Sequence, residues 1–179
     1  TCIWQDGLDI PLVNALEAND YAVYDGKQPI KTATNFSPLS FSAPGFIPAD
    51  FVWDKSYSPL FKYSWKNVYP ALLEAEKVNE INAFDGILMR YINPLTGGDV
   101  MQTLGAAMQL LPAGFKGKAH RHTGSFVYQC AKGKGFSIIN GKRFDWKERD
   151  IFCVPSWAWH EHHNLSETED ACLFQFNDL

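Results

Sequence analysis

A chain of 179 residues with 46% hydrophobic, 15% aromatic and 20% charged side chains suits one folded domain with an extension, which excludes a disordered or low-complexity protein. Its net charge of −4 and the lack of any Lys/Arg run argue against nucleic acid or an anionic membrane surface, and for a small-molecule partner. Cys2, Cys130, Cys153 and Cys172 stand singly and read as small buried hydrophobes, and no stretch approaches the roughly 18 apolar residues of a membrane span, so a cytoplasmic location is expected.

The first residues, Thr1-Cys2-Ile3-Trp4-Gln5-Asp6, read as a strand already in progress, and they echo Ala171-Cys172-Leu173-Phe174-Gln175-Phe176 near the other end. Apolar residues at helical intervals, with Pro11 near the first turn, predict a short helix over 10–16. Residues 26–59 hold Pro29, Pro38, Pro44, Pro48 and Pro59, which predicts a long irregular connection. Its aromatic residues Phe36, Phe41, Phe46, Phe51, Trp53 and Tyr57 imply that it packs along a surface. A second helix is expected from Tyr69-Pro70 through Lys77, rich in strong helix formers. From Gly86 onward, short β-prone runs alternate with Gly, Pro and Asn: 87–92, 104–111, 126–131, 136–139, 142–146, 151–154, 159–163 and 172–176. That texture predicts an all-β sandwich or small barrel, with Asn140-Gly141 as a hairpin turn because both residues tolerate positive φ.

All five histidines fall between positions 120 and 163. In an extended segment, residues two apart share a face, so His120 and His122 can reach one ion while Arg121 points away. Gly114, His120, His122 and Gly133 reproduce the spacing G-x5-H-x-H-x3-E-x6-G, with Phe126 where that pattern has Glu. Pro155, His160 and Asn164 match G-x5-P-x-G-x2-H-x3-N, with Arg149 and Trp157 in place of its glycines. These are the two cupin motifs, and their agreement implies an all-β cupin double-stranded β-helix, a jelly-roll barrel, with an N-terminal extension of short helices and irregular loop.

Three histidines without the Glu would leave the full charge of a divalent ion facing its open positions, which favours an anionic chelating ligand. Imidazole does not by itself choose among Fe, Zn, Ni, Cu and Mn. His162 shares the face of His160 and stands as a spare ligand or a supporting donor, whereas His163 points away. Gln109, Tyr128, Trp157, Trp159 and Asn164 are further candidates to line a ligand cavity. Arg90 and Arg143 have the geometry to clamp a carboxylate, although surface solvation is the commoner role of such residues.

Beyond the general motifs, three stretches resemble the gentisate 1,2-dioxygenase family, which includes salicylate and 1-hydroxy-2-naphthoate dioxygenases: Trp4-Gln5-Asp6-Gly7-Leu8-Asp9-Ile10-Pro11-Leu12-Val13, Arg90-Tyr91-Ile92-Asn93-Pro94-Leu95-Thr96-Gly97-Gly98, and His120-Arg121-His122-Thr123 with Val154-Pro155-Ser156-Trp157. The resemblance implies a two-cupin, oligomeric protein that opens the ring of a hydroxylated aromatic acid with O2 and Fe(II) held by three histidines. It makes this chain similar to the C-terminal half: residues 1–85 as the closing strand of a preceding cupin plus the connection, and residues 86–179 as the second barrel. In many members the second barrel is catalytically silent and serves structure or assembly, so a silent lobe is the alternative expectation.

Overall fold

The computed structural model describes residues 4–27, 29, 31–55, 58–60 and 62–178. The chain divides into two compact units, Thr1–Lys62 and Tyr63–Leu179.

In the first unit, helix α1 (Ile10–Ala15) buries none of its residues, and helix α2 (Phe36–Ser40) interrupts an otherwise irregular run. Phe41 is buried against Phe36, Phe51 and Trp53, with ring centroids 6.2, 4.9 and 6.4 Å away. The aromatic residues of this stretch thus form a small cluster of their own, while Phe46 is exposed. Tyr57 lies outside the described residues, as do Thr1, Cys2 and Ile3 of the expected first strand; Trp4–Asp6 form no strand.

The second unit opens with helix α3 (Trp65–Val78), which starts four residues before the expected Tyr69. Pro70 therefore lies inside the helix rather than in its first turn. The hydrogen bond it cannot make would fall on the carbonyl of Lys66, an exposed residue that water can serve. The next elements are β1 (Ile87–Arg90), β2 (Gly105–Leu111), β3 (Phe126–Lys132), β4 (Lys134–Ile139), β5 (Lys142–Lys147), β6 (Ile151–Val154), β7 (His160–Asn164) and β8 (Ala171–Asn177). They build two antiparallel sheets, one in the order β1-β2-β8-β3-β6 and one in the order β5-β4-β7.

Leu111, Phe126, Tyr128, Cys130, Ile139, Trp146, Val154, Ala171 and Leu173 fill the interior. The outer face of β1, β2 and β8 is covered by α3, where Leu72 is buried with Ile87, Met108, Leu110 and Cys172. That cover explains why β2 is buried on both faces and reads as a nearly unbroken run of small and apolar residues. Asn140 and Gly141 take φ of 48° and 77° in the turn between β4 and β5, the left-handed pair that a two-residue hairpin requires. Cys130 and Cys172 are buried thiols pushed up to about 12 by desolvation, but Cys153 is exposed at β6, against the expectation of burial. Among the described residues no helix is long and apolar enough to cross a membrane.

Candidate metal centre

The inward face of β7 carries three buried polar side chains, His160, His162 and Asn164. Beside it runs the extended segment around His120, which is joined to His160 by an isolated antiparallel bridge rather than by a full strand. The His120 N–H donates to the His160 carbonyl at 3.0 Å, and the His160 N–H donates back at 2.8 Å. Two residues beyond His120, the His122 carbonyl accepts the Trp157 N–H at 2.9 Å. The Arg121 guanidinium lies over the rings of Trp157 and Trp159 at 4.5 and 4.7 Å. Backbone and stacked side chains thus fix the two histidine-bearing segments to each other.

This geometry brings His120, His122 and His160 together, with one ring nitrogen from each within 4.8 Å of the other two. In all three rings Nδ1 faces a backbone carbonyl: Lys118 at 3.3 Å, Thr123 at 3.1 Å and Ala158 at 3.0 Å. A carbonyl oxygen only accepts, so each Nδ1 carries the hydrogen and each Nε2 presents a lone pair. The His160 Nε2 is buried and has no hydrogen-bond partner. Burial, and secondarily the neighbouring His120 and His122, push the His160 imidazole down to about 4, although its bond to Ala158 acts the other way. The ring is therefore neutral at ordinary pH, which is the state a metal ligand must have.

His162 is held differently. Trp146 Nε1 donates to Ser137 Oγ at 2.9 Å, and the Ser137 hydroxyl shares a hydrogen bond of 2.7 Å with His162 Nδ1. His162 Nε2 is buried without a partner, and among the described residues His162 does not belong to the close set of ring nitrogens. Complete burial, with lesser contributions from the other histidines, holds its titration well below the usual imidazole range.

A cavity of about 320 Å³ opens beside the triad, lined by His120, His122, Phe126, Tyr128, Asp85 and Arg90 among others. Of the further cavity candidates singled out in the sequence, Arg90 and Tyr128 line this cavity, whereas Gln109, Trp157, Trp159, His162 and Asn164 do not. Gln109 is buried and donates through Nε2 to Asp85 Oδ1 at 3.3 Å. Asn164 pins backbone carbonyls of Leu111, Pro112 and Glu169 at 3.0, 3.0 and 2.8 Å. Trp157 and Trp159 are half exposed on the Arg121 stack, and His163 pairs with Glu161 and stacks on Phe136. Arg143 binds Asp145 at an exposed site.

Sequence reasoning missed Asp85. It ends the turn before β1, marked by Asp85-Gly86, where Gly86 takes φ of 69° and Asn82 Oδ1 accepts the N–H groups of Phe84 and Asp85. That turn is legible, but nothing in the sequence aims its carboxylate at histidines about 35 residues away. Asp85 Oδ1 lies 3.7 Å from His120 Nε2. Burial pushes its carboxyl above the usual range, with His120 and His122 acting in the opposite sense.

Two antiparallel sheets sharing one core, with three clustered histidines, are the features of a cupin, and the Cupin domain family matches residues 107–175. The homologues narrow this further. The chain is 36% identical over 176 residues to gentisate 1,2-dioxygenase 1 of Aquipseudomonas alcaligenes, covering 98% of this chain and 50% of that protein. To 5-aminosalicylate 1,2-dioxygenase of Comamonas sp it is also 36% identical, covering 98% of this chain and 46% of the relative. A crystal structure of salicylate 1,2-dioxygenase from Pseudoaminobacter salicylatoxidans with gentisate superposes with a TM-score of 0.77 at 29% identity, over 95% of this chain and 48% of that one. Over nearly its whole length the chain is similar to gentisate-type 1,2-dioxygenases, and it spans about half the length of the curated relatives it matches, as one cupin half.

Proposed function

We propose that this cupin half holds Fe(II) through His120, His122 and His160 and serves O2-dependent ring cleavage of gentisate or a related hydroxylated aromatic carboxylic acid. Two observations carry the reading together: each Nδ1 faces a backbone carbonyl, which leaves each Nε2 lone pair free, and one ring nitrogen from each histidine lies within 4.8 Å of the other two. A cation at their centre would satisfy all three lone pairs at once. Ferrous iron would supply Lewis acidity and the capacity to pass electrons between an aromatic ligand and O2.

The chain's own residues account for ligand selection. Gly105, Ala106 and Ala107 bring little side-chain bulk to the cavity, and Leu88, Phe126 and Tyr128 give it apolar walls against which an aromatic ring can lie. Arg90 borders the same cavity, with Asp99 at 3.4 Å holding its guanidinium, and offers paired donors to a carboxylate. Tyr128 stays a neutral phenol, pushed up by desolvation first and by Asp85 second. In the whole protein a second cupin half would accompany this one in an oligomer, and residues 86–179, within the second compact unit, would form the metal-holding barrel.

The test is anaerobic reconstitution of the 179-residue chain with ferrous iron, followed by gentisate and O2. Oxygen uptake matched by ring-opened product supports the proposal. Stoichiometric iron without turnover would support the silent-lobe alternative for this half.

A further inference from the structure

We propose that Asp85, held by Gln109, makes the site selective for ligands that carry a hydroxyl group next to their carboxylate, by accepting the hydrogen of that hydroxyl. The inference rests on the metal-centre reading above and names the group that would distinguish a hydroxylated acid from a plain one.

The site holds an unmatched pair of acceptors. His120 Nδ1 is committed to the Lys118 carbonyl, so the Nε2 that lies 3.7 Å from Asp85 Oδ1 has no hydrogen to offer it. Two lone-pair acceptors facing each other call for a donor or a cation between or beside them. The ring nitrogens of His120, His122 and His160 form the compact ligand set, and Asp85 is not among the described residues of that set. Its carboxylate instead stands next to it, on the wall of the same cavity as Arg90. That position suits the outer atoms of a bound ligand rather than the ion itself.

Asp85 is also held in place. Gln109, only 1% exposed, donates Nε2 to Asp85 Oδ1 at 3.3 Å and leaves its own Oε1 buried without a partner. An amide that tolerates an orphaned oxygen in order to present its N–H to a carboxylate fixes that carboxylate's position on the cavity wall. The backbone at 82–86 is clamped as well, since the Lys118 N–H donates to the Ala83 carbonyl at 2.8 Å. The cupin motif's acid is lost at Phe126, and Asp85 brings an acid back to the cavity from a different element, outside the ligand set.

The experiment is calorimetric titration of the zinc-loaded full chain with gentisate and with 3-hydroxybenzoate, which lacks only the hydroxyl beside the carboxylate. Wild type is expected to prefer gentisate, and Asp85→Asn to keep its zinc while that preference falls about tenfold, as for the loss of one charge-assisted hydrogen bond. Gln109→Met, which removes the donor that holds Asp85 but keeps the acid, should move the ratio the same way by a smaller factor. An unchanged ratio in both zinc-retaining variants overturns the inference and leaves the metal reading intact. Loss of zinc from Asp85→Asn also overturns it, because Asp85 would then be a ligand. A wild-type chain that takes up no zinc overturns both readings.

Discussion

Replacing Ser137 by alanine removes one oxygen atom from the centre of the barrel. Ser137 is fully buried on β4, opposite His162 of β7, and its hydroxyl joins Trp146 to His162. Without it, the Trp146 Nε1–H and the His162 Nδ1 both lose their partner inside a site where Trp146 is 4% and His162 is 0% exposed. Each orphaned buried group costs about 1–3 kcal/mol, so the pair should cost about 4 kcal/mol. At about 3 °C per kcal/mol for a chain of this size, Tm should fall by about 12 °C. Urea denaturation of the metal-free protein with tryptophan fluorescence as the signal, together with calorimetry, measures this loss. A change below about 1 kcal/mol would refute the reasoning, because it would mean that water or a rearranged side chain satisfies both groups.

The metal-free protein should also lose stability in acid. His160 is pushed down to about 4 and His162 well below 6.5, so below pH 6.5 the unfolded chain binds protons that the folded chain refuses. The stability is fully present above pH 6.5 and declines as pH falls toward 4, and urea midpoints at pH 7.5, 6.0 and 5.0 should decrease in that order; a flat profile would contradict the burial of neutral imidazoles. Arg149→Gly should stabilise the protein. Arg149 holds φ at 78° with an exposed side chain, and relief of about 1–2 kcal/mol of left-handed strain exceeds the entropy cost of glycine by about 0.5–1 kcal/mol; a lower denaturation midpoint would contradict this.

That last position illustrates what the sequence carries and what it hides. Both glycines missing from the second cupin motif, at Arg149 and Trp157, correspond to residues with positive φ, 78° and 63°. The backbone path of the motif survives the loss of the residue type that suits it, which is why spacing was the informative signal there. The strand runs were legible because inward and outward residues alternate, as in Phe126, Tyr128 and Cys130 on β3. The start of α3 was not, because Pro70 normally marks a first turn and here lies inside the helix.

For the site, a two-residue separation placed His120 and His122 on one face, and the motif interval added His160. Its surroundings depend on contacts between residues distant in sequence. Gln109, His162 and Asn164 share the polarity expected of a ligand pocket, yet each spends it on another part of the protein: Asp85, Ser137 and three backbone carbonyls, respectively. Trp157 and Trp159 look like pocket walls until Arg121 is seen between them. Asp85 belongs to no motif, and only folding sets it 3.7 Å from His120 Nε2.

The central claim is that three imidazole Nε2 atoms share one ion. X-ray absorption of the zinc-loaded chain tests it most directly. The account predicts one zinc per chain with three imidazole nitrogens at about 2.0–2.1 Å, reduced to two in His160→Ala. A zinc shell with fewer than three imidazoles in the wild-type chain, or the same shell after His160→Ala, would contradict it.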